Sequence, residues 1–366
     1  MTSAPGGESS DDSSRVRLSY TSIASRLSLS SRQFFLGVAL VFYSSASFFL
    51  IQYDRFRTVD SNLFWGRILA GDDFAPIQYR VGLAVLTTFI ANHLHFRINQ
   101  SLPFLEASSY AAALALLCLL LCMSSTWARA SMQQRAALAA CFAAAAQFPI
   151  VWIFPWDRPE TLPTTLYLAV IAVLVRIHQK CVGAGWLCLV AVLVSAIQSS
   201  MRAEIPVVMG AAIIASVAFH CWPASKQRAL MAIGSSCAVT GAAVQLYLQR
   251  IAYPKAVYPP GTSKFQLLHN LNPMDAPSHG PIFVTAMLPF FLVLFSLWRR
   301  RMLLEPVDKM VLLACLFYIP IWFVTGLLSE VRLYVPFLFL ATPTMAKIFV
   351  ALLSPDTEPL QTTRLS

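Results

Sequence analysis

Charge is what this sequence most lacks. Only 12% of its 366 residues are Asp, Glu, Lys or Arg, against about 25% in a soluble domain. Acids are the scarcer sign, with 17 against 27 basic residues and a formal net charge of +10. So little charge cannot cover the surface of a soluble fold this long, which excludes that class. Other absences narrow the chemistry. No CxxC pair or Cys/His cluster occurs, so disulfides and zinc are not expected, and seven of the eight cysteines sit in or beside apolar runs. There is no GxxxxGK[ST], HExxH or GxSxG, which removes P-loop, zincin and serine-hydrolase chemistry. No internal repeat is visible, which argues against a transporter built from two related halves.

What the sequence has is long apolar runs; 57% of it is hydrophobic. The expected fold class is therefore all-α, a polytopic membrane protein. Spans are expected at 34–51, 105–124, 136–154, 162–177, 184–200, 204–222, 229–248, 280–298, 309–328 and 332–352. The Ser-rich residues 1–32 read as a disordered cytoplasmic tail, 33–352 as the transmembrane domain and 353–366 as a second cytoplasmic tail. A cleavable signal peptide is not expected, because the first apolar run begins late and lacks a small-residue cleavage site.

The short apolar stretch Val81–Phe96 decides the topology. If it spans, the basic loops at Arg129/Arg135, Arg176/Lys180, Lys226/Arg228 and 299–301 all lie outside. If it lies in the outer interface, all four become cytoplasmic, as the positive-inside bias requires. The expectation is thus about ten transmembrane helices, both termini cytoplasmic, and a long first outer loop over 53–104 that contains interfacial helices. The basic surplus then reflects membrane orientation, and no nucleic-acid partner is implied.

This topology sends nearly every carboxylate of the membrane body to one face. The 53–80 stretch alone carries Asp54, Asp60, Asp72, Asp73, Arg55, Arg57, Arg67 and Arg80. Asp60 begins a segment that reads as a helix, with Asp60-Ser61-Asn62 at its start, Leu63, Phe64, Trp65, Ile68 and Leu69 along it, and Gly71 at its end. An N-cap aspartate is kept ionised by backbone N–H groups, which suits a base or an ion ligand, although capping alone would also explain it. Asp54 and the Asp72–Asp73 pair compete for the role. Arg158 and Arg202 each have an acid two places on, Glu160 and Glu204, so local ion pairing stands beside substrate binding. His93 and His95 are expected to snorkel to the interface, and His269 and His279 are too isolated for a metal site.

Asp60, then Phe64 or Trp65, then Ala70-Gly71, together with Tyr79-Arg80, Asp157 and the Arg202/Glu204 element, resembles the membrane-embedded glycosyltransferase superfamily of GT-C fold. The resemblance covers the architecture of most of the chain through short, degenerate motifs. It departs from the commoner acid-acid form by having Asp60-Ser61. It implies transfer of a sugar from a polyprenyl-phosphate donor to a glycan, lipid or protein acceptor at the outer, periplasmic face of a bacterial inner membrane. Asp60 is then the general base, with Asp54 and Asp157 as alternatives. Tyr79, Arg80, Arg158, Arg202, Glu204, Lys255, His269, Glu330 and Arg332 are the substrate-binding candidates. The sequence shows no dedicated metal site and does not decide whether a divalent cation is needed. Two other readings remain: a transporter, flippase or polymerase of lipid-linked saccharides, and a membrane protein whose loop charges only pair and orient it.

Overall fold

Each long apolar run within reach of the structure is a helix. The structure is a computed structural model, and it describes residues 61–73, 77–153, 160–180, 185–256, 304–325 and 334–353. The expected spans 34–51 and 280–298 and most of both tails lie outside the described residues. Among the described residues the only regular structure is helical: α1 (Ser61–Ala70), α2 (Val81–Leu94), α3 (Ile98–Cys122), α4 (Ser125–Arg129), α5 (Met132–Ile153), α6 (Thr161–Lys180), α7 (Gly185–Arg202), α8 (Glu204–Ala218), α9 (Ala224–Tyr247), α10 (Pro306–Thr325) and α11 (Val335–Leu353). A 3-10 turn, Ile77–Arg80, leads into α2, and a π turn, Leu248–Ala252, extends α9.

Four of these helices are long and apolar enough to cross a bilayer: Gln100–Cys122, Thr161–Lys180, Gly185–Arg202 and Ala224–Ala252. Two shorter apolar helices, Glu204–Ala218 and Val335–Ala351, accompany them. The α2 helix has 14 residues, about 21 Å, less than the hydrocarbon thickness of a bilayer. At its end His95 adopts the left-handed conformation (φ 55°) as the cap, while the His93 ring stacks on Phe89.

The α6 helix is central, packed against α3, α7 and α11. Thr161–Val175 is buried on nearly every side, as expected of a helix that is apolar all round. The α7 helix shows the opposite of a water-soluble pattern. Its buried face carries Ser195, Gln198, Ser199 and Arg202, while Trp186, Leu189, Leu193 and Ile197 are exposed. In water that arrangement would forfeit the hydrophobic effect; against lipid it is the favourable one.

A close helix approach is that of α8 on α9. A Cβ added at Gly210 would lie 2.4 Å from the Gly234 carbonyl oxygen and 2.7 Å from the Ala238 nitrogen. Small residues let the two backbones touch, which is how helices associate where lipid removes the hydrophobic drive between them.

Charges gather at the two ends of the bundle. At the Lys180 end, Arg176 of α6 ion-pairs with Glu305 at 3.0 Å and donates to the Met123 carbonyl. Glu305 accepts the Ser125 N–H. Beside them, Lys347 of α11 pairs with Asp308 of α10, which also accepts from Thr344 at 2.7 Å. Burial pushes the Glu305 carboxyl up, but the Lys347 ammonium, the Arg176 guanidinium and the Ser125 N–H outweigh it and hold the group below its ordinary value.

Two expectations follow. Gly210→Val should lower the unfolding temperature of the lipid-reconstituted protein, with a loss of about 1–3 kcal/mol from overpacking. Gly66→Ala should not, because nothing lies within 4 Å of the added carbon. For Glu305 the folded value is the lower one, so its stabilisation is whole above the unfolded carboxylate value of about 4.3 and fades as pH falls through the folded value. The gap in unfolding temperature between wild type and Glu305→Gln should therefore be constant near neutral pH and close in acid.

Candidate functional site

The other end of the bundle holds the candidate site. It begins with α1, whose C-terminal turn is closed by Gly71 at φ 82°, a left-handed value that glycine adopts without strain. Gly71 N–H donates to the Ile68 carbonyl and Asp72 N–H to the Arg67 carbonyl, the paired bonds of a Schellman cap. Gln78, wholly buried, clamps this cap: its Oε1 accepts the Asp73 N–H at 2.9 Å and its Nε2 donates to the Ile68 carbonyl at 2.7 Å. Ile68 then packs with Leu83, Ala84, Leu102 and Met201 in one apolar cluster, which sets α1 against α2, α3 and the end of α7.

Two ion pairs follow, the first largely buried and the second joining a buried arginine to a partly exposed acid. Arg80, at the end of the 3-10 turn, pairs with Glu160 at the head of α6. Their side chains are 17% and 3% exposed, so the pair lies in a low-dielectric layer where each charge needs the other. Arg202, the last residue of α7, pairs with Glu204, the first of α8, at 2.7 Å, and donates to the Tyr318 hydroxyl of α10 at 2.5 Å. Glu160 is also within electrostatic reach of Arg202, so it links the two pairs. Tyr318 is buried against Phe337 and Tyr334 of the α11 end, ring centroids 4.1 and 6.2 Å away.

Pro206 explains where Arg202 sits. A proline has no N–H to give to the residue four before it, and its ring crowds that carbonyl. The ladder of α7 therefore stops at Arg202, and α8 restarts after the single residue Ala203. Glu204 falls in the first turn of α8, where the helix dipole favours an acid. Below this joint a polar seam enters the bundle between α6 and α7, through Gln198 Nε2 to Thr164 Oγ1 at 2.9 Å and the Tyr167 and Ser195 hydroxyls at 3.0 Å.

Of the substrate-binding candidates, Arg80, Arg202 and Glu204 come together here. Tyr79 lies beside them in sequence and donates through its hydroxyl to the Ala256 carbonyl at 3.1 Å, which ties the first loop to the segment after α9, next to the exposed Lys255. Asp54, Asp60, Asp157, Arg158, His269, Glu330 and Arg332 lie outside the described residues. The local pairing expected for Arg202 with Glu204 is present. Glu160 pairs with Arg80; the local pairing expected with Arg158 lies outside the described residues.

Three further residues belong to this region. Gln78 and Tyr318 carry no local signal, since only the fold shows their partners. Glu106 does carry one: it is a lone acid in the apolar run 105–124, wholly buried in α3 one turn beyond Leu102. Among the described residues no three His, Cys, Asp or Glu side chains are grouped to hold a metal ion. Chemically, the site is a pair of carboxylate-bound guanidiniums beneath a capped helix, the kind of group that binds a phosphate or carboxylate ligand by exchanging partners.

Comparison with protein-family models, with curated proteins and with solved structures finds no match to this chain.

The Arg80–Glu160 pair should behave as a buried pair in a double-mutant cycle. Glu160→Ala should cost more stability than Glu160→Ala combined with Arg80→Met, because the single change strands a buried guanidinium. Unfolding of the reconstituted protein measures both, with a coupling of about 1–3 kcal/mol expected.

Proposed function

We propose that the chain is a multi-pass membrane protein with the Lys180 end on the cytoplasmic side and the Arg202 end outside. Its first outer loop, α1 and α2 included, rests in the interface. The basic residues Arg129, Arg135, Lys180, Lys226 and Arg228 at one end and the acid-containing site at the other support this orientation.

In this reading the protein is a glycosyltransferase of GT-C type, taking a sugar from a polyprenyl-phosphate donor at the outer face. The acceptor is a glycan, lipid or protein. The observation that carries the reading is the gathering of first-loop, α6 and α7–α8 charges into one partly buried cluster at a single bundle end. That is where an enzyme acting on a membrane-anchored phosphate would place its arginines. In the proposed step the acceptor oxygen attacks the anomeric carbon and the bond from that carbon to the phosphate oxygen breaks. The leaving lipid phosphate keeps the electron pair beside Arg80 and Arg202, and the acceptor proton passes to the Asp60 carboxylate.

One observation favours a second reading, a transporter or flippase of lipid-linked saccharides. Glu106 is an acid buried within a helix of membrane-spanning length, and transporters place ionisable groups there.

The test is sugar transfer by purified protein in lipid vesicles, offered a panel of polyprenyl-phosphate sugars, with release of lipid phosphate as the readout. Asp60→Asn should reduce transfer by about 10²–10⁴-fold, the usual worth of a general base, without changing the unfolding temperature. Full transfer by that variant would remove Asp60 from the role. Movement of a lipid-linked saccharide across the vesicle without bond cleavage, abolished by Glu106→Gln, would replace the enzyme with the transporter.

A further inference from the structure

At the Arg202 end of the bundle, the chain leaving α9 turns back onto the first loop. Gly241 fixes the height of α9 here. A Cβ added to it would lie 3.1 Å from the Ala203 carbonyl oxygen, so this turn stands level with the joint between α7 and α8. From Gly241 the helix continues to Leu248, about 10 Å further at the usual rise per residue. Leu248 is buried, and no residue from 249 to 256 is. At that point the ladder widens into the π turn Leu248–Ala252, closed by the Tyr253 N–H donating to the Leu248 carbonyl at 2.9 Å. Such turns are rare and concentrate at functional sites.

The segment beyond, residues 253–256, is fastened to the first loop at two points. The Tyr253 ring covers Gly71, with two ring carbons 3.5 Å from where a Cβ would sit on that residue. Gly71 is held left-handed at φ 82° by the cap of α1, so the ring meets bare backbone. Three residues on, the Ala256 carbonyl accepts the Tyr79 hydroxyl at 3.1 Å. Within the segment the Ala256 N–H donates to the Tyr253 carbonyl at 3.2 Å, which closes it into one turn. Both anchors belong to the braced part of the first loop: Gly71 closes the cap that Gln78 clamps, and Tyr79 stands between Gln78 and Arg80. Pro254 and Lys255, between the two fastenings, are exposed. One ring contact and one neutral hydrogen bond are weak enough to be broken and remade.

The second fastening falls one residue from Arg80, whose side chain is 17% exposed and pairs with Glu160. We propose that residues 253–256 are a latch over the Arg80 and Glu160 pair, swinging on the π turn. Its clasps are the Tyr253 ring on Gly71 and the Tyr79 hydroxyl on the Ala256 carbonyl. Closed, the latch limits the approach of an anionic headgroup to Arg80. Open, it uncovers the guanidinium while Leu248 and the helix before it stay in place. The purpose of the latch rests on the reading of Arg80 as an anion-binding residue; its movement does not, and the two are tested apart.

The test uses the full chain in lipid nanodiscs, with arginine modification by phenylglyoxal and amide hydrogen exchange, both read by peptide mass spectrometry. In wild type Arg67, 54% exposed, should react fast, Arg80 slowly and Arg202, 2% exposed, hardly at all. Tyr79→Phe and Tyr253→Ala should each speed modification of Arg80 about fivefold, the worth of one modest contact. Both should raise exchange over 253–256, while exchange over 230–247 and the reactions of Arg67 and Arg202 stay as in wild type. Tyr79→Phe removes a single hydroxyl, so it decides the matter should Tyr253→Ala fail to fold. Unchanged reactivity of Arg80 in a folded variant overturns the latch. So does a rise at Arg202 or along 230–247, which marks general loosening. A polyprenyl phosphate should then protect Arg80 in the open variants. If Arg80 reacts faster yet gains no protection, the movement stands and the anion-binding reading fails.

Discussion

A charge inside a low-dielectric layer must meet its opposite or move to an end, and this protein's architecture follows from that constraint. Removing one member of a buried ion pair strands the other at a cost of about 3–5 kcal/mol, a large part of a typical stability. The paired arginines and carboxylates therefore gather toward helix ends, while Glu106 stays buried within α3. Arg80 and Glu160 close the 3-10 turn against the head of α6, while Arg202 and Glu204 flank a joint between two helices. Arg176 with Glu305, and Lys347 with Asp308, do the same at the far end. Between these two levels α6 and α7 exchange only neutral polar contacts.

The site inherits its positions from local chain chemistry and its pairing from the fold. Pro206 halts α7 at Arg202, Gly71 turns the chain after α1, and Gln78 locks that turn through two backbone bonds. None of these residues carries charge. They fix where the charged residues stand, and the cluster of Ile68, Leu83, Ala84, Leu102 and Met201 fixes how the first loop meets the bundle.

The helices were legible in the sequence because apolar runs of the right length have few alternatives in lipid. Eight expected spans, from 105–124 to 332–352, overlap described helices, four of them long and apolar enough to cross a bilayer, and Gly71 ends α1 as its position suggested. Pair identity was not legible. Glu160 pairs with Arg80, 80 residues away, a separation that no local pattern encodes. Tyr318 was hidden for the same reason, since its hydroxyl matters only once α10 stands beside α7. Glu106 is legible, since one acid in an otherwise apolar run is a stronger signal than a crowd of charges in a loop.

The single-residue joint at Ala203 carries a kinematic consequence. One residue spans at most about 3.6 Å of chain, so Arg202 has no slack relative to Glu204. Their guanidinium and carboxylate cannot part by a hinge that leaves α8 in place. Nor can α8 slide freely, because Gly210 keys its backbone into that of α9. A ligand that draws Arg202 outward must therefore move α7, α8 and α9 as one lever, or exchange contacts at side-chain scale while the backbone holds still.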